Sequence, residues 1–215
     1  MIIQHMIYLT ILAIAFVTNV LCAKSHPSLK VIPYVLGITV ITEGYVNIAY
    51  LCEGNSFNAN PIYHFFIPLE YSLLAYFFSQ NIQSNVLKKV ILASIFIFAI
   101  LGFFFSWYVV GLQNFPGHNY NIGGILLCTW ALIIIFKFEV TLRLPIYKFP
   151  IFWICLGILV FHLGMFTFNG LYNKISVDNR EAFKTLRQIV EKTLNSFLYF
   201  CYLISAICSQ RIMKS

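Results

Sequence analysis

A bundle of seven membrane-crossing α-helices is the fold this sequence predicts, and three observations predict it. Of the 215 residues, 60% are hydrophobic and only 10% charged, with a mean hydropathy of +0.82. A water-soluble domain carries about a quarter charged residues to maintain a polar surface. Seven apolar runs each approach the ~20 residues that span a bilayer core. The Lys and Arg residues gather in alternate loops between those runs, as a membrane topology requires. The length fits one domain, so residues 1–215 read as a single polytopic transmembrane domain in an all-α membrane protein.

The runs are 4–22, 31–52, 61–80, 87–110, 120–138, 149–170 and 187–208. Only helices or closed barrels span lipid, and these runs are too long and continuous for barrel strands. The first begins MIIQH and lacks the basic leader of a signal peptide. VLCA (20–23) is a poor cleavage site and a weak lipobox, so a retained helix is expected. The second contains ITVITEGYVNIAY (38–50), and the third IPLEYSLLAYFF (67–78). Pro68 in the third frees a carbonyl one turn earlier and permits a bend. The fourth and fifth are plain apolar runs. The sixth carries FHLGMFTFN (161–169), and the seventh opens on the polar RQIVEKT (187–193).

Basic residues set the direction. Lys24 and Lys30, Lys88 and Lys89, Lys137, Arg143 and Lys148, then Arg211 and Lys214 all fall on one side. The N-terminus and the loops 53–60 and 111–119 on the other side carry no Lys or Arg. The loop after the sixth run breaks the pattern with Lys174, Arg180, Lys184 and Arg187, offset in part by Asp178 and Glu181. The N-terminus is therefore expected outside and the C-terminus in the cytoplasm. The net charge of +7 is read as this topological signal. No nucleic-acid partner is expected, because the charges form no patch with exposed aromatics. The six cysteines include no C-x-x-C pair and read as small apolar packing residues.

Ionisable groups inside lipid are costly, face the bundle interior and tend to be functional. Thr39, Glu43 and Asn47 are spaced four apart and share one helix face. Glu43 and Glu70 both fall near the membrane midplane, where a neutral or partnered carboxyl is expected. His64 lies nearer the outer surface. His162 and Asn169 share a face of the sixth run. Gln188, Glu191, Asn195, Tyr199 and Tyr202 form a continuous polar stripe on the seventh. A polar cavity in the outer half is therefore expected, lined by Glu43, Asn47, His64, Glu70, His162, Glu191 and Asn195. Asn47, Asn169 and Asn195 also suit interhelical hydrogen bonding alone, at about 0.6 kcal/mol each.

No G-x-S-x-G, H-E-x-x-H or phosphate-loop motif occurs. His64 and His162 with one glutamate make too thin a ligand set, so neither a metal nor a cofactor is expected.

The short-looped layout, the EY pair Glu70–Tyr71 and KFPIFWICLGILVFHLG (148–164) resemble small seven-helix integral membrane proteins of Bacteroidetes. These are similar in layout to the seven-helix input modules of bacterial sensor kinases. The resemblance implies the cytoplasmic membrane of a bacterium and a sensing role. The chain ends just after the seventh run with no kinase or cyclase, so a sensor of this kind is expected to signal through a separate partner at the cytoplasmic loops. Two hydrolase families share the scale. Lysoplasmalogenase-like proteins use intramembrane acidic residues. Ceramidase-like enzymes need three zinc-binding histidines, a serine and an aspartate, and here no Asp falls within any run. A retinal protein needs a lysine deep in the seventh helix, and Lys192 is too near its outer end.

Three functions follow. The first is a ligand- or lipid-binding sensor with the bilayer and a small molecule or lipid as partners. The second is an intramembrane lipid hydrolase, with Glu43 or Glu70 as general base and His162 assisting. The third is a non-catalytic structural subunit of a membrane complex.

Overall fold

The computed structural model describes residues 2–22, 29–137, 145–175 and 180–214. Lys24, Arg143 and Asp178, which entered the orientation argument, lie outside the described residues. Among the described residues there are seven α-helices and no strand: α1 (Ile2–Cys22), α2 (Ile32–Glu53), α3 (Asn60–Asn81), α4 (Asn85–Phe104), α5 (Gly117–Lys137), α6 (Pro150–Ile175) and α7 (Arg180–Lys214). A π-helical turn, Phe105–Val110, continues α4.

The first six helices follow the apolar runs closely. Prolines in the first turns of α2 and α3 suit positions whose N–H groups have no helical partner. Ser84 caps α4 by accepting from the Leu87 N–H. The π turn ends at Gly111, whose φ of 76° is the left-handed region that glycine adopts without steric cost. The seventh helix departs from expectation. It begins at Arg180 rather than 187 and runs on to Lys214. Phe183, Leu186 and Val190 keep helical spacing through the charged stretch. A hydropathy window sees only the apolar part of such a helix.

Four helices among the described residues are long and apolar enough to cross a membrane: Ile32–Glu53, Asn85–Val110, Gly117–Lys137 and Pro150–Asn169. Met6–Cys22 is apolar but shorter. Their outward faces carry large apolar side chains, such as Ile41 (73% exposed), Phe96 (72%) and Phe136 (83%). Apolar surface on this scale is tolerated against lipid and not against water. The protein is membrane-embedded.

The chain divides into two compact units: Met1–His26 with Ala131–Ser215, and Pro27–Trp130. In the first, α7 packs against both α6 and α1. Gly157 and Gly164, two turns apart on α6, let the helices approach. A Cβ on Gly157 would lie 2.9 Å from Cys201 Cβ, and one on Gly164 2.8 Å from Leu194 Cδ1. Small residues at a helix seam serve this end in membranes, where close packing substitutes for a hydrophobic driving force. Buried Asn19 ties α1 to α7 by donating to the carbonyls of Ala15 (2.9 Å) and Tyr202 (3.2 Å).

In the second unit, α3 packs against α2 and α4. A directed chain of hydrogen bonds crosses it: Trp130 Nε1 donates to Tyr71 Oη (3.5 Å), which meets Ser94 Oγ at 2.7 Å, which donates to the Ile91 carbonyl at 2.6 Å. Tyr71 is 1% exposed, and its hydroxyl is satisfied without water. Cys22, Cys128, Cys155 and Cys201 are buried free thiols, whereas Cys52 is exposed.

Candidate functional site

The seven residues expected to line one cavity divide between the units. Glu43, Asn47, His64 and Glu70 belong to the second, and His162, Glu191 and Asn195 to the first.

In the second unit two polar groupings stand on adjacent faces of α3. The first looks toward α2. Tyr63 Oη reaches Glu43 Oε1 at 3.4 Å. Glu70 lies seven residues on from Tyr63, hence on the same face of α3 two turns along. The charge of Glu43 acts on Glu70. Both carboxylates are half-buried. Asn47 donates back to the Glu43 carbonyl at 2.6 Å, which holds its amide beside the same turn. The Tyr63 ring meets Phe66 and Phe115 edge-on, with centroids 6.2 and 6.3 Å away. Two carboxylates and a phenol, the phenol flanked by Phe66 and Phe115, offer several acceptors and one donor. They suit a ligand that presents an ammonium group or hydroxyls.

The second grouping centres on His64, which lies one residue along and is 5% exposed. Its Nδ1 is 2.7 Å from Ser106 Oγ and its Nε2 is 2.8 Å from the Asn114 carbonyl. A carbonyl only accepts, so Nε2 carries a proton. In neutral His64, Nδ1 is then the acceptor and the Ser106 hydroxyl donates to it. Asn119 Nδ2 donates to Ser106 Oγ (3.3 Å) and to the Gly102 carbonyl (3.1 Å). Ser106 is 3% exposed and Asn119 2%, so the network is dry.

Local sequence explains this placement. Ser106 sits on the π-helical turn, and π turns inside α-helices recur at functional sites. Pro68, whose ring comes within 3.4 Å of a Cβ built on Gly102, removes the N–H that would pair with the His64 carbonyl. At the same end, Asn58 and Asn60 clip the 111–116 loop through Gln113. Both donate to its backbone carbonyl, at 2.9 and 2.8 Å.

The other three expected residues ride on the α6–α7 pair. His162 is half-buried, with its ring edge-on to Phe161 at 4.9 Å. Glu191 is half-buried and feels the charges of Arg187 and Lys192. Asn195 Oδ1 accepts from Tyr199 Oη at 3.4 Å. The stripe on α7 changes character along its length: Gln188 is exposed, Glu191 and Asn195 are half-buried, and Tyr199 and Tyr202 are buried.

Sequence reasoning missed Ser106, Asn119 and Tyr63. Ser106 is a polar residue within the apolar run 87–110, and Asn119 is one immediately before the run 120–138. That signal was present, though shared by other serines and asparagines. Among the described residues no three His, Cys, Asp or Glu side chains converge as metal ligands. No protein-family model, curated protein or solved structure matches the chain.

Proposed function

We propose that this chain is a seven-span protein of a bacterial cytoplasmic membrane, with its N-terminus outside. It binds a small molecule or lipid at the Glu43–Glu70 pair and passes its occupancy to a partner at the cytoplasmic loops. The carrying observation is the pair itself. Tyr63, on the same face of α3 as Glu70, reaches across to Glu43 on α2 at 3.4 Å, and the charge of Glu43 acts on Glu70. Like charges at membrane depth are costly unless something compensates them, and a ligand offering a cationic group does so. Orientation rests on the distribution of basic residues. The bacterial setting rests on the resemblance to small seven-helix proteins of Bacteroidetes.

Signalling requires the ligand to prefer one of two packings. Pro68 lies between His64 and Glu70 on α3, and its missing N–H makes that turn the easiest place for the helix to bend. A ligand drawing Glu70 toward Glu43 acts directly on that turn.

The test is a thermal-shift series with purified protein in micelles, using primary alkylammonium ions of increasing chain length. Binding raises the midpoint, and a ligand at a hundred times its Kd adds about 2.7 kcal/mol. The rise is expected to disappear in both Glu43→Gln and Glu70→Gln. A rise that survives in both variants, or its absence across the series in wild type, sinks the reading.

A further inference from the structure

The His64–Ser106 pair is not used by the ligand reading, and its geometry is more particular than packing demands. A hydroxyl nucleophile needs an adjacent base, and the base needs a third group to hold its ring and tautomer. Each is present. Ser106 Oγ lies 2.7 Å from His64 Nδ1. The Asn114 carbonyl, 2.8 Å from Nε2, holds the proton on that nitrogen and leaves Nδ1 free to take one. Asn119 Nδ2 stands 3.3 Å from Ser106 Oγ, close to where an oxyanion would form on a carbonyl attached to that oxygen. Amide donors so placed stabilise tetrahedral intermediates.

We propose that Ser106 is the nucleophile of an acyl-transfer site, with His64 as its base and Asn119 as its oxyanion donor. Its substrate is an ester-linked acyl chain of a membrane lipid. The substrate class follows from the surroundings. Ser106 lies in a segment long and apolar enough to cross the membrane. Phe104, Trp107 and Tyr108, its near neighbours in sequence, are exposed by 52%, 54% and 81%. That exposed aromatic surface suits an acyl chain as the group that approaches Ser106. With Ser106 itself 3% exposed, the π turn must open for the ester to enter.

Ser106 Oγ bonds to the ester carbonyl carbon while its proton passes to His64 Nδ1. The carbonyl electron pair moves onto oxygen, beside the Asn119 N–H. When the intermediate collapses the carbon–alkoxy bond breaks, and the departing alcohol takes the proton from Nδ1. Water then attacks the acyl-Ser106 ester, gives its proton to Nδ1, and releases the acid as Ser106 recovers that proton. His64 is cationic only between these transfers, and its Nε2–H stays on the Asn114 carbonyl throughout.

The test uses the full-length wild-type chain in micelles, treated with an alkyl fluorophosphonate and mapped by peptide mass. A covalent adduct at Ser106 is expected, lost on prior heat denaturation. Because the site is read in wild type, no variant has to fold for the result to count. His64→Gln is expected to slow labelling by about 10²–10⁴-fold, the usual contribution of a general base. Asn119→Ala is expected to slow hydrolysis of a p-nitrophenyl acyl ester by about 10²–10³-fold. Absence of the Ser106 adduct from folded protein overturns the proposal. So does an adduct that persists after denaturation or forms equally fast in His64→Gln. In those cases the network is a structural latch only.

Discussion

The buried network around His64 gives the sharpest energetic prediction. Ser106→Ala removes the hydroxyl 2.7 Å from His64 Nδ1 and one of two acceptors of the Asn119 amide. The amide keeps the Gly102 carbonyl at 3.1 Å, so its loss is partial. The imidazole nitrogen is left without a donor in a dry site, which costs about 1–3 kcal/mol. His64→Ala removes both ring hydrogen bonds and leaves a cavity. It orphans the Asn114 carbonyl as well as the serine, so about 3–5 kcal/mol is expected. The double variant should cost less than the sum, because the His64–Ser106 bond is lost only once. The coupling should fall between about 0.5 and 3 kcal/mol. Unfolding in mixed micelles by titration with a denaturing detergent, followed by tryptophan fluorescence, supplies all four corners of the cycle. Thr129→Ala removes only an exposed hydrogen bond to the Ile125 carbonyl and is the control, expected within about 0.5 kcal/mol of wild type. Additivity of the two network variants within about 0.3 kcal/mol would refute the reasoning, since that is the behaviour of independent sites.

Other outcomes follow from the same geometry. Gly157→Ala places a Cβ 2.9 Å from Cys201 Cβ and 3.1 Å from Leu198 Cδ1, an overpacking worth about 1–3 kcal/mol. Gly44→Ala meets nothing within 4 Å and gains about 1 kcal/mol of helix propensity. Thermal melts read by a thiol-reactive dye, which reports exposure of the buried Cys155 and Cys201, should show the first below the second. Tyr71→Phe breaks the Trp130–Tyr71–Ser94 chain and should cost about 1–3 kcal/mol in the detergent titration. Gly111→Ala forces a Cβ into a φ of 76°, and a loss of about 1 kcal/mol is expected from the same measurement.

Much of the fold was legible in the sequence, because lipid imposes length. An apolar run must reach ~20 residues to cross, and α2 to α6 begin and end within a few residues of those runs. The start of α7 was not legible, since its charged first turns, from Arg180, are held by helical periodicity rather than hydropathy. The candidate site was legible in part. Glu43 and Glu70 announced themselves as carboxylates in apolar surroundings, and Tyr63, two turns from Glu70, did not. A tyrosine near a membrane surface is ordinary. Ser106 was illegible for a different reason. Its meaning depends on His64, 42 residues away, and on a π turn that no local pattern in FFFSWYVV marks. The Asn58–Gln113 clip is likewise a long-range pairing, invisible to any single window.

A ligand site at α2 and α3 requires Glu43 and Glu70 to share one water-reachable position. Carbodiimide coupling of a small amine in right-side-out vesicles tests this most directly, with the modified residue mapped by mass. A water-soluble carbodiimide added outside is expected to modify Glu70, and Glu43→Gln is expected to change that rate several-fold. Modification of Glu70 by a lipophilic carbodiimide alone, at a rate indifferent to Glu43→Gln, would contradict the account.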